Sequence, residues 1–169
     1  MKAPKDEFSS VRLLLLAFGL LSALILTLCL SSRRSLPPLV GQSLTDEEVR
    51  TVISRNSPLT EYVLLSPNAT FPREEPITKI TVHHMAGDLT LEELGEAFLQ
   101  RDRRASANYA IDSEGRVALY VEESDRAWTS SSADNDHRAV TIEVANDEIG
   151  GDWHVSDEAF ETLVALCTD

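Results

Sequence analysis

Two stretches of the chain alternate apolar and polar residues with the two-residue period of a β-strand. From Ile77 to Gly87 the order is Ile-Thr-Lys-Ile-Thr-Val-His-His-Met-Ala-Gly, so Ile80, Val82 and His84 share one face and Lys79, Thr81 and His83 the other. From Ala139 to Ala145, Val140, Ile142 and Val144 face one way while Thr141, Glu143 and Ala145 face the other. Both read as buried strands of one sheet. With their apolar rows aligned, His83 and Glu143 face a common groove. Asn108 to Asp112 and Val117 to Val121 read as two further strands, joined by Ser113-Glu-Gly-Arg116 as a hairpin turn, with Tyr109 and Tyr120 as core residues.

Helices are marked by their starts. Thr45 with Glu48, and Thr90 with Glu93, have the spacing of capping boxes. They predict one helix over about Asp46 to Arg55, with Val49, Val52 and Ile53 as its apolar stripe, and another over about Leu91 to Gln100, with Leu91, Leu94, Ala97 and Phe98. A last helix starts near Ser156 and is expected to turn Phe160, Leu163, Val164 and Cys167 inward. It reaches Asp169 without a capping glycine. Strands interleaved with helices give an α/β fold class, a mixed central sheet flanked by helices.

The N-terminal part has a different pattern. Leu13 to Leu30 are almost uninterruptedly apolar, and as a helix would span about 27 Å, close to the hydrocarbon thickness of a bilayer. The expectation is one transmembrane helix over residues 13–30, preceded by a short cytoplasmic N-terminus (1–12), with the lipid bilayer as its partner. A cleaved secretory signal or a lipoprotein signal ending at Cys29 are the alternatives. Six prolines between Pro37 and Pro76 suggest that residues 31–64 form a stalk with one short helix, and that the folded domain comprises residues 65–169 on the extracytoplasmic side.

The whole chain has a formal net charge of -13, and without residues 1–34 the remainder has ten basic residues against 26 acidic. Such a body has no basic footprint for a phosphate backbone, so nucleic acid is excluded as a partner. Cys29 and Cys167 imply no disulfide framework, and without a CxxC or CxxH pair there is no self-contained zinc knuckle.

Candidate chemistry lies on the two long strands. His83 is the metal-ligand candidate, because it stands on the polar face while His84 continues the apolar row. Glu143 is a carboxylate in mid-strand, where carboxylates are depleted and costly to bury unpaired. The long polar loop from Ser124 to Arg138 carries Trp128 followed by Thr129 and three serines, which suits sugar or peptide contact. Trp128 as a lid over the edge of the core fits equally well. His137 and His154 read as solvated.

Several of these pieces together resemble the zinc-dependent N-acetylmuramoyl-L-alanine amidases of the second type, the family of phage amidase endolysins and peptidoglycan recognition proteins. They are Ser66-Pro-Asn-Ala-Thr-Phe-Pro-Arg73, the strand into His83-His-Met-Ala-Gly87, Ala105-Ser-Ala-Asn-Tyr109, Ala127-Trp-Thr-Ser130 and Val140-Thr-Ile-Glu143. The resemblance implies peptidoglycan as substrate, Zn2+ as cofactor, His83 as a zinc ligand and Glu143 as general base. It further implies substrate contacts at Asn108, Trp128 and Thr129. A site tyrosine common in the family falls on Ala107. The family's second zinc histidine and its third ligand follow the last helix and have no counterpart up to Asp169, which implies a C-terminally truncated domain. A membrane-anchored peptidoglycan-binding module without catalysis, or a gene remnant, is the competing expectation.

Overall fold

The computed structural model describes residues 37–169. The membrane-helix reading of residues 13–30 lies outside them; among the described residues no helix is long and apolar enough to cross a membrane.

Helix α1 (Asp46–Ile53) and helix α2 (Leu91–Leu99) both begin in complete capping boxes, at Thr45/Glu48 and Thr90/Glu93. In each, the threonine hydroxyl accepts from the N3 amide while the N3 glutamate accepts from the threonine amide, so two otherwise unbonded backbone donors are satisfied. Strands β1 (Thr60–Val63), β3 (Lys79–His84), β4 (Tyr109–Ile111), β5 (Val117–Leu119) and β7 (Ala139–Val144) form one sheet in the order β1-β5-β4-β7-β3. Only β4 and β5 pair antiparallel; the other three pairs are parallel. Two short strands, β2 (Ala69–Thr70) and β6 (Arg126–Ala127), pair separately. Helix α3 (Ala133–Arg138) leads directly into β7, and helix α4 (Asp157–Thr168) closes the chain.

Each face of the sheet has its own core. Tyr109, Ile111, Val117, Leu119, Ile142 and Val144 pack with Val52 of α1 and with Ala159 and Leu166 of α4. On the opposite face Ala110, Ala118 and Tyr120 pack under Leu91, Leu94 and Phe98 of α2, with Phe98 edge-on to Tyr120 at 5.2 Å between centroids. Alanines on the sheet let α2 approach closely. A Cβ at Gly95 would come within 2.9 Å of Leu64 Cδ2 and 3.0 Å of the Tyr120 ring. Gly115, in the β4–β5 turn, has φ +80° and would place a Cβ 2.9 Å from the Glu158 carbonyl, so turn geometry and helix packing both require glycine there.

Three expectations are corrected here. Residues 37–64 are not stalk: Val40 and Val52 are buried in the first core and β1 is an edge strand of the main sheet. Prolines in that stretch punctuate turns of a packed segment. Second, β3 is not buried but is the other edge strand, with Ile80 at 43% and Val82 at 48% exposure. Its polar row, Thr81 and His83, is the more covered one, because the loop and helix preceding β7 lie on that side. Third, α4 turns Ala159 and Leu166 inward and leaves Phe160, Val164 and Cys167 exposed. Leu163 is partly buried against that core as expected, and the inward face is otherwise rotated towards Ala159 and Leu166, since several hydrophobic stripes fit so short a helix.

Candidate functional site

Strands β3 and β7 run parallel in continuous register, and that register sets His83 directly opposite Glu143. Neighbouring residues in register project to the same face of a sheet, so the imidazole and the carboxylate share one side, together with Thr81 and Thr141 two residues earlier. Both are half-buried. Among the described residues Glu143 has no hydrogen-bond donor. Its burial, opposed in part by the Arg103 guanidinium, pushes its pKa up to about 7.

Arg103 belongs to a single 3-10 turn (Arg101–Arg103) after α2, and its guanidinium lies 5.8 Å from the centroid of Phe98. That stacking holds a cation near enough to act electrostatically on Glu143, an influence the sequence pattern did not reveal.

The loop between β6 and α3 is organised by Asp136, which is buried. Its carboxylate accepts from the Thr129 amide at 3.0 Å, the Ser130 amide at 3.2 Å and the Asn135 side chain at 3.2 Å, and from the Ser130 hydroxyl. Thr129 then donates its hydroxyl to the Ser106 carbonyl at 2.7 Å and lies 2.8 Å from the Thr141 hydroxyl, which fastens the loop to β7. Asn135 donates to the Thr81 hydroxyl at 3.2 Å, fastening the same loop to β3. Trp128 is half-buried and donates from its indole nitrogen to Thr70 at 3.0 Å. Trp128 and Thr129 form one wall of an open cleft of about 310 Å³, whose other lining includes Arg104, Arg126, Ser131 and Ser132. A smaller, more apolar cavity of about 230 Å³, lined by Leu39, Leu65, Phe71, Val121 and Asp125 among others, includes neither His83 nor Glu143.

Asn108 has no face open to a ligand, which corrects its assignment as a substrate contact. It is fully buried: its Nδ2 donates to the Val121 carbonyl at 3.0 Å, and its Oδ1 accepts from the Thr141 amide at 3.0 Å. It ties β4 to β7 and to the strand end after β5. His84 does not continue a buried apolar row. It is exposed, and its Nδ1 lies 2.7 Å from the Asn146 side-chain nitrogen. Asn146 also accepts from the Ala86 amide and donates to the Trp153 carbonyl, linking the end of β3 to the loop before α4. His154 is exposed, as expected; its Nδ1 donates to the Asp147 carboxylate at 2.7 Å, which raises its pKa. His137 differs from expectation: it is half-buried on α3, its Nδ1 facing the Glu74 amide at 3.4 Å.

The family model described as N-acetylmuramoyl-L-alanine amidase matches residues 73–169, more than half of the chain and all of the groove just described. The chain belongs to this amidase family. Among solved structures, AmpD, as its selenomethionine derivative, superposes with a TM-score of 0.51 at 18% identity, over 62% of this chain and 70% of AmpD. A point mutant of PlyL superposes with a TM-score of 0.50 at 17% identity, over 62% of this chain and 69% of PlyL. At such identities the likeness is one of fold, and it shows the amidase sheet and its flanking helices in this chain. No curated protein sequence matches it.

Proposed function

We propose that this amidase-family chain hydrolyses peptidoglycan at the amide bond between N-acetylmuramic acid and L-alanine. The observation that carries the reading is the pairing of His83 with an unbonded, half-buried Glu143 on one face of β3 and β7. Glu143, with a pKa near neutrality, is available in both protonation states. As carboxylate it accepts a proton from the water that attacks the lactyl carbonyl; as carboxylic acid it returns that proton to the L-alanine nitrogen as the carbon–nitrogen bond breaks. The products are a glycan carboxylate and a stem peptide with a new amino terminus. Trp128 and Thr129 line the cleft in which the muramoyl peptide is held.

Family membership implies zinc, and we assign His83 as a ligand. Among the described residues no three His, Cys, Asp or Glu side chains converge on one point, whereas a catalytic zinc takes three protein ligands and an open position. The described residues therefore do not make up a zinc site by themselves, and the proton transfers above are assigned to Glu143 alone. The same shortfall favours the second reading, a module that holds peptidoglycan without cutting it. In either case we place the domain outside the membrane, tethered by the apolar segment 13–30.

The test is release of new L-alanine amino termini from purified peptidoglycan by the full-length chain, with sedimentation to measure binding. Hydrolysis by the unmodified chain, falling about 100-fold or more in Glu143→Gln and in His83→Ala, is the expected result. Binding without hydrolysis would establish the second reading, and neither binding nor hydrolysis would refute both.

A further inference from the structure

The smaller cavity, of about 230 Å³, shares no lining residue with the cleft beside Trp128 and is formed from the segment before α1, the stretch after β1 and the stretch after β5. Leu39, Leu65 and Val121 give it apolar walls. A cavity of about 150 Å³ can hold one benzene, and sites for drug-sized ligands begin at about 300 Å³, so this one has room for a single ring with a short arm. Three charged side chains reach the lining: Arg55, Glu122 and Asp125. Two of them satisfy each other, since Arg55 donates from Nε to Glu122 Oε2 and from Nη2 to Glu122 Oε1, both at 3.0 Å. Asp125 is left over. It is half-buried, and among the described residues its carboxylate has neither a hydrogen bond nor an ion pair. Arg73 lies close by, but its guanidinium donates to the carbonyls of Glu123, Asp125, Asp136 and His137. Burial, and after it the Glu122 carboxylate, raise the Asp125 pKa to about 6 against the pull of Arg73 and Arg55, so at neutral pH the group is mostly charged.

We infer that this cavity is a second binding site, for a small ammonium compound with an apolar body, whose cation meets the Asp125 carboxylate while its ring or branched chain fills the space between Leu39, Leu65 and Val121. Charge selects the class. With Arg55 set against Glu122 and Asp125, the lining has a formal charge of -1, which a monocation neutralises and an anion does not. A half-buried carboxylate without a partner costs stability, and a charge-assisted hydrogen bond from an ammonium group offsets that cost. A neutral hydrocarbon of the same shape gains the apolar contact but leaves the carboxylate as it was. The volume sets the size, about nine or ten non-hydrogen atoms on the scale of the benzene cavity. Neither His83 nor Glu143 lines the site, so it stands independently of the hydrolytic reading.

The experiment is equilibrium binding of 2-phenylethylammonium and of its neutral isostere, 2-phenylethanol, to the full-length chain at pH 7.5, followed by amide NMR shifts. The ammonium compound should bind about tenfold more tightly than the alcohol, the scale of one charge-assisted pair. Asp125→Asn keeps the backbone carbonyl that Arg73 holds, and should reduce the preference to about twofold while alcohol affinity stays unchanged, which also reports that the fold is intact. Leu39→Trp, at a partly buried wall position, should fill the cavity and weaken both ligands by about tenfold or more. Equal affinity for the two ligands in the unmodified chain, or a preference that survives Asp125→Asn, would overturn the role given to Asp125 and with it the proposal. Binding that Leu39→Trp leaves unchanged would place the ligand elsewhere and overturn the site, as would binding of neither compound. The proposed hydrolysis stands or falls separately.

Discussion

Replacing Glu143 by glutamine should stabilise the protein at high pH and not at low pH. Burial moves the Glu143 pKa from an ordinary 4.5 to about 7. Below pH 4.5 the carboxyl is protonated in both folded and unfolded chains and imposes no penalty. Between 4.5 and 7 the folded state binds more protons than the unfolded one, so stability falls as pH rises, and above 7 the penalty is complete. A displacement of that size corresponds to at most about 3 kcal/mol; for a half-buried carboxyl that water still reaches, about 1–2 kcal/mol is the working value. Glutamine has no charge to desolvate. Any cost of its unpaired amide is the same at every pH and cancels when two pH values are compared. Urea denaturation of the chelator-treated chain, followed by the fluorescence of Trp128 and Trp153, should thus show the variant gaining about 1–2 kcal/mol on the wild type between pH 4 and pH 8.5. A difference that does not change with pH would refute the burial argument, and with it the claim that Glu143 is poised near neutrality.

Asn108→Ala should cost about 2–4 kcal/mol, since it strands the Thr141 amide and two carbonyls in a dry sheet; calorimetry would register it as a lowered melting temperature, and an unchanged one would return Asn108 to the list of substrate contacts. Gly115→Ala should cost about 1–3 kcal/mol through its positive φ and its approach to the Glu158 carbonyl, with chemical denaturation as the measurement. His84→Ala should loosen the loop from Asp147 to Val155, seen as faster amide hydrogen exchange there, while leaving peptidoglycan binding unaffected; lost binding would mean that the wrong histidine of the pair was chosen.

Local chemistry made much of this protein legible from its sequence. Capping boxes work through residues three apart, so Thr45 with Glu48 and Thr90 with Glu93 announced two helix starts to the residue. Strand alternation is equally local, and it put His83 and Glu143 on like faces before any pairing was known. Order in the sheet is not local. That β3 is an edge, so that Ile80 and Val82 are exposed and the polar row is the covered one, depends on which strands flank β7, and this is settled by packing at long range. The prolines between Pro37 and Pro76 look the same in a tether as in the turns of a packed segment; only the burial of Val40 and Val52 tells them apart. Hydrogen-bond saturation is likewise a property of the assembled fold. It turned Asn108 from a candidate contact into scaffold, gave Asp136 its place at the centre of the loop, and left the Nε of half-buried Arg126 without a partner among the described residues.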